Sequence, residues 1–325
     1  MRKSGPGVLC ASVARFFLVF STLICPASGF AQVKIRAAYG TPSLSQVVFP
    51  LGVQAGMFER NGLNVEPLYI AGRSINLLLS GDVHFGFTGG PQTVLARLSG
   101  AEVITIAGLN RLGQMIAAHP SIKAPADLVG KKVGIGVFGT TADYGMRLGL
   151  RKLNLRPNKE VTFIQVGDVP ARLAAVTSGA VHAVVLSSFD KHFLEQHGLR
   201  LLAETEDIDF MGSGIMTTES YARTNREVVI RLLRGVVETI RFIKTEPKRA
   251  TDLLGRIYRE SDPAVLARRY QTLLGVYPDY PYVSVSSIQS IIDVLKEDGK
   301  VKDSPPAQSF IDMSYLRTVE KERLR

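Results

Sequence analysis

The chain has 325 residues, a formal net charge of +10, 46% hydrophobic residues and 21% charged residues. This composition excludes disordered and fibrous classes, and the length exceeds what one core usually serves, so two lobes are expected. The positive charges are spread along helical segments (Arg147, Arg151, Lys152; Arg231, Arg234, Arg241, Lys244) and form no dense basic run, which argues against a nucleic-acid partner.

The first 31 residues read as a cleaved export signal. Arg2, Lys3 and Arg15 give a basic start, Phe16 to Cys25 an apolar run, and Gly29 and Ala31 the small residues of a cleavage site. The run is about half the ~20 residues a stable membrane span needs. Cys25 is a poor lipid-attachment site because bulky Ile24 precedes it. Cys10 and Cys25 are the only cysteines, so the mature chain would hold no disulfide, thiol nucleophile or cysteine metal site.

From residue 33 strand-like and helix-like segments alternate. Strands are expected at 33–39, 65–70, 83–88 and 103–109, with helices at 44–60, 74–80 and 91–99 between them. After a further short strand at 115–119 the series repeats. Strands at 132–137, 161–166, 181–186 and 199–203 enclose helices at 141–153, 170–178 and 189–197. Such alternation predicts two parallel sheets wrapped by helices. Beyond residue 216 the pattern turns helical, with a 3.6-residue apolar period over 226–245 and further helices at 248–259, 263–274 and 286–296. Short glycine-bearing crossings near 110–118 and 212–216 suggest a hinge and a cleft. The expected division is a signal peptide over 1–31, lobe I over 32–115 and 215–325, and lobe II over 116–214.

One phrase occurs twice: SGDVHFGFTGG at 80–90 and SGAVHAVVLSS at 178–188. His84 and His182 stand at strand beginnings, at the outer ends of opposite lobes, and a shared metal would need them together. We read the phrase as a helix stop followed by a buried strand, one copy per lobe. No catalytic residue, metal site or cofactor is expected. HExxH, GxSxG and phosphate-loop signatures are missing, and Gly134-Ile135-Gly136 belongs to a strand.

AYGTPSLSQVVFPLGVQAGMFERNGLNVE, SGDVHFGFTG, ADLVGKKVGIGVFGTT, PARLAAVTSGAVHAVVLSS and ESYARTNREVVIRLLRGVVETI follow one another in this order. The set resembles the substrate-binding proteins of ABC importers of the nitrate, taurine and alkanesulfonate class, related to binders of thiamine-pyrimidine precursors. The resemblance implies an α/β type II periplasmic binding fold with two lobes and two crossovers. It also implies a periplasmic monomer that delivers a small solute to a membrane permease. A family relative that synthesises a pyrimidine uses a cysteine-rich stretch that the mature chain lacks. A sensory binding protein and an exported hydrolase are the alternatives.

Independently of the resemblance, open α/β sheets bind ligands at the carboxyl ends of their strands. That rule nominates Thr41, Ser43, Ser45 and Gln46, then Arg73 and Ser74, then Thr88, Gly89 and Gln92 in lobe I. In lobe II it nominates Phe138, Thr140, Thr141 and Asp143, then Ser187, Ser188 and Asp190. Hydroxyls before helix starts suit an anionic solute, or else cap the helices. Arg73 offers a bidentate clamp for a carboxylate or sulfonate, or is ion-paired or solvent-facing. Asp143 and Asp190 either hold an amino or hydroxyl group or serve as caps and ion-pair partners. Arg172 reads as a surface residue. Tyr39, Phe138, Tyr144, Phe189 and Phe210 supply apolar area near these loops, and the absence of Trp excludes an indole platform.

Overall fold

The computed structural model describes residues 32–40, 43–70 and 74–324. The expected signal peptide, Thr41 and Arg73 lie outside the described residues.

Among the described residues, ten strands form two five-stranded sheets. They are β1 (Val33–Tyr39), β2 (Leu63–Tyr69), β3 (Phe85–Gly89), β4 (Val103–Arg111), β5 (Gln114–Ala118), β6 (Lys132–Ile135), β7 (Thr162–Gln165), β8 (Ala183–Ser187), β9 (Arg200–Glu204) and β10 (Met211–Thr218). The strand orders are β2-β1-β3-β10-β4 and β7-β6-β8-β5-β9. Each sheet therefore repeats one plan, with one strand inserted beside its edge just after the chain crosses from the other lobe. β10 runs antiparallel to β3 and β4, and β5 antiparallel to β8 and β9. The expected parallel sheets each carry one antiparallel strand, so both are mixed.

The helices are α1 (Val48–Gln54), α2 (Met57–Arg60), α3 (Ser74–Leu79), α4 (Gly90–Leu98), α5 (Thr141–Lys152), α6 (Val169–Thr177), α7 (His192–Gln196), α8 (Glu219–Thr224), α9 (Arg226–Thr245), α10 (Pro247–Tyr258), α11 (Pro263–Leu273), α12 (Val285–Glu297) and α13 (Ser314–Arg323). The single helix expected over 44–60 is a turn followed by two short helices. They are separated at Gly56, whose φ of 71° a side chain would disfavour. The segment expected to be helical over 189–197 starts as a 3-10 turn at Ser188–Asp190 before α7.

Strand alternation sorts side chains onto two faces of each sheet. In the first, Ala37, Phe85 and Phe87 join the large core with α1, α2, α9 and α10. Ala38, Val103 and Met216 join Leu78 on the reverse face. In the second, Ile116, Ala118 and Val185 pack with Met146 and Leu150 of α5, while Met115, Ala117 and Val184 pack with Leu173 and Val176 of α6.

The first crossing lies at 112–113, inside the expected 110–118; the second lies at 205–210, ahead of the expected 212–216, which is part of β10. β10 was hidden by its glycines. A Cβ on Gly212 would sit 2.5 Å from the Arg111 carbonyl oxygen, and one on Gly214 2.8 Å from that of Ala107. Glycine here permits close strand approach; it does not make a hinge.

The repeated phrase places His84 before β3 and His182 before β8, one per lobe. His84 Nδ1 accepts the Arg36 N–H at 3.0 Å, and its ring stacks on Tyr221. The His182 N–H donates to the Lys132 carbonyl, and its own carbonyl accepts from His119. Both serve strand junctions.

Candidate functional site

The carboxyl ends of the two sheets face each other. Thr141, the first residue of α5, donates its hydroxyl to the Gly212 carbonyl of β10 at 2.9 Å. It packs so tightly on Gly89 that a Cβ there would lie 2.3 Å from its Oγ1. The ends of β3, β10 and β6 thus meet across the lobes.

On the first lobe the polar groups form short chains. Gln46 Oε1 accepts the Gly40 N–H at 3.0 Å, and the hydroxyls of Ser43 and Ser45 are 2.7 Å apart. Thr88 donates to Gln92 Oε1 at 2.9 Å. Ser213 donates to Asn110 Oδ1 and to the Ser45 carbonyl, tying the start of β10 to the loop after β1. Ser74 is buried, and its hydroxyl has no hydrogen-bond partner among the described residues.

On the second lobe, Thr140 donates to the Val137 carbonyl, so its hydroxyl does not cap α5. α4 likewise starts at Gly89 without a side-chain cap. The first N–H groups of both helices are therefore left to other acceptors. α6 differs, since Asp168 caps it through the Ala171 N–H. Ser187 accepts from the Phe189 N–H and lies 3.5 Å from the Gly113 carbonyl. The Ser188 hydroxyl is buried without a hydrogen-bond partner among the described residues. Phe138 lies in the loop before α5 and is 48% exposed.

The charged candidates divide. Asp143 is fully buried and accepts the Gly139 N–H and Arg147 Nε, both at 2.8 Å. Its carboxylate thus serves an ion pair and the Gly139 N–H of the loop before α5. Asp190 lines a pocket of about 210 Å³ between Phe189–Gln196 and α11, together with Leu44, Arg268 and Arg269. Burial pushes its carboxyl up to about 6, against the opposing pull of Arg269 and Arg172. Arg172 is a correction to the surface reading. It is 8% exposed, donates to the carbonyls of Val185 and Asp168, and is pushed down to about 10 by burial. Of the aromatic candidates, Tyr144 and Phe210 are core, and Tyr39 rests against Phe49 and Tyr69.

Sequence reasoning missed part of this boundary. Asn110 is the penultimate residue of β4 and was discoverable by the strand-end rule. Ser213 was concealed with β10. The contribution of α11 and of residues 275–287 carried no local signal, because it depends on where the C-terminal helices return. Residues 275–287 line a pocket of about 660 Å³ at the crossings.

Two mixed sheets of this order, joined by two crossings with their strand ends facing, define the type II periplasmic binding protein fold. The periplasmic aliphatic sulphonate binding protein SsuA of Escherichia coli superposes with a TM-score of 0.71 at 20% identity, covering 88% of this chain and 99% of that one. The periplasmic nitrate-binding protein NrtA of Synechocystis PCC 6803 gives 0.73 at 15% identity, covering 89% of each. A protein of Brucella abortus (strain 2308), named as a candidate binding protein, is 22% identical over 255 residues, or 75% of this chain and 79% of its own length. The family model described as NMT1/THI5 like matches residues 49–250. The chain belongs to that family.

Proposed function

We propose that this protein is a periplasmic solute-binding protein that captures a small anionic solute between its lobes and hands it to the permease of an ABC importer. It performs no chemistry on the solute. The observation that carries this reading is the meeting of the two sheets' carboxyl ends at Thr141, Gly89 and Gly212. Beside that junction α4 and α5 begin without side-chain caps, and helix starts of this kind favour negative charge. The hydroxyl and amide groups of Ser45, Thr88, Gln92 and Ser213 add neutral hydrogen-bonding groups. The likeness to sulphonate- and nitrate-binding proteins supports the same solute class and the periplasmic location.

A thermal-shift screen of ethanesulfonate, acetate, nitrate and neutral sugars tests the proposal. One of the anions should raise the melting temperature, and Arg73→Ala should weaken its binding more than tenfold. A response to sugars alone would reject the anionic class. Unchanged affinity in the variant would remove Arg73 from the site.

A further inference from the structure

Helix α5 belongs to the second lobe by only one of its faces. Met146 and Leu150, four residues apart, pack with Ile116, Val133 and Val185 of that lobe's sheet. Tyr144 and Leu148, again four apart, turn to the first lobe instead. They join a cluster with Val94 of α4, with Ile288, Ile291 and Ile292 of α12, and with Phe310. Tyr144 is fully buried there, so the contact excludes water.

The end of α12 closes the edge of this contact. Gly299, at a φ of 68°, stops the helix, and the Lys300 N–H returns to the Leu295 carbonyl at 2.9 Å. That turn carries Asp298 and Lys300 to α5. Asp298 meets Arg151 at 2.8 Å and Arg147 at 3.7 Å, and Glu297 meets Arg151 at 3.1 Å. Lys300 donates to the Tyr144 hydroxyl at 3.0 Å. Arg147 is 5% exposed, and ion pairs so buried are little screened by salt.

The crossings are held by the same cluster. Leu112 and Phe210 are fully buried in it, and the Leu112 N–H donates to the Phe210 carbonyl at 2.9 Å. The Thr205 hydroxyl donates to the Leu112 carbonyl at 3.1 Å, a second tie between the two crossings. Interiors packed in this way move as bodies, so neither crossing is free to bend by itself. The flank of α7 and α11 has no comparable seal among the described residues. Both helices line a pocket of about 210 Å³, and Arg269 of α11 lies over the ring of Tyr258 in its own lobe at 4.5 Å.

We infer that α12 with its closing turn is an interlobe brace. The α5–α12 contact is the axis on which the lobes swing, and they part on the flank of α7 and α11 by hinged rotation. The brace acts whether or not a solute is bound, so it stands apart from the anionic class proposed above.

Spin-label distance distributions in the solute-free chain test this, with Cys10 and Cys25 changed to Ser so that only introduced cysteines carry labels. One pair, Lys152→Cys with Lys296→Cys, spans the α5–α12 contact. The other, Glu195→Cys with Ala267→Cys, spans the α7–α11 flank; all four positions are exposed. The second pair should give a distribution roughly twofold broader than the first. Asp298→Asn should broaden the first pair to the width of the second. Lys300→Met, at an exposed position, should broaden it part of the way, and it keeps the test open if Asp298→Asn does not fold. Arg156→Ala, which breaks an exposed ion pair within the second lobe, should change neither width. Equal widths in the parent, or a first pair that stays narrow in every folded brace variant, would overturn the brace. Equal broadening by Arg156→Ala would assign the effect to general loosening and overturn it too. Neither outcome depends on the thermal-shift screen, so either proposal fails without the other.

Discussion

The boundary between the lobes has two flanks of opposite character. On one, α5 of the second lobe is sealed onto α4 and α12 of the first. Tyr144 is fully buried in a cluster with Val94, Phe210, Ile288, Ile291 and Ile292. A charge network lies over it: Asp143 pairs with Arg147, Arg147 reaches Asp298 at 3.7 Å, and Arg151 reaches Asp298 at 2.8 Å. Lys300 adds a hydrogen bond to the Tyr144 hydroxyl at 3.0 Å. On the other flank Phe189 lines pockets of about 660 and 210 Å³; residues 275–287 border the first and α11 the second. The first flank is buried and ion-paired; the second has room for ligand and carries a half-buried carboxyl pushed up by burial. Rigidity and access are thus placed on opposite sides of one boundary.

Breaking the sealed flank should have the largest effect. Arg147→Ala leaves Asp143 buried without its cation, which costs about 3–5 kcal/mol. Urea unfolding should show that loss, and a drop below about 1 kcal/mol would mean the network contributes little.

The open flank should respond with the opposite sign. Because the folded-state pKa of Asp190 lies above the ordinary carboxylate value, the folded chain takes up its proton first as pH falls. This group therefore lowers stability as pH rises from about 4 to about 6 and holds it lower above that. Its contribution reaches at most about 3 kcal/mol. Asp190→Asn, which keeps Arg172, Arg269 and Tyr258 as neighbours, should be more stable than the parent at pH 7.5, with the difference vanishing near pH 4. Asp207 and Asp279 shift the other way, and they favour folding above the ordinary carboxylate range. The comparison must therefore be made between variant and parent at each pH. A difference that does not change with pH would show that Asp190 is ionised alike in both states.

The smallest effect belongs where the flanks meet. Thr141→Val keeps the shape against Gly89 but removes the donor to the Gly212 carbonyl, a loss of about 1 kcal/mol. It sharpens the comparison by altering the junction while leaving the ion pairs of one flank and the pockets of the other in place. A loss as large as that of Arg147→Ala would place the main interlobe tie at the junction.

Much of the layout was legible because its signals are local. The apolar period over 226–245 marks α9 from Arg226 to Thr245, and the twin Ser-Gly-x-Val-His phrases mark the two equivalent strand starts. The burial of Asp143 and the placement of Arg172 were not legible. An Asp three residues into a helix reads as a cap in any sequence, while its burial depends on Arg147 and on the distant Asp298. Arg172 is four residues after Asp168 and looks solvent-facing, yet its guanidinium ends on the Val185 carbonyl of another element.

The amino-acid sequence by itself determined the two α/β series, the order of their elements and the loops that carry hydroxyls to the strand ends. Periodicity and chain punctuation act within a few residues, and they suffice for that. The tertiary structure alone decided that each sheet takes a reversed strand from the crossing chain, and that α12 seals one flank while α11 stays apart on the other. Those outcomes depend on which distant surfaces exclude water from each other, and no short stretch of sequence encodes that.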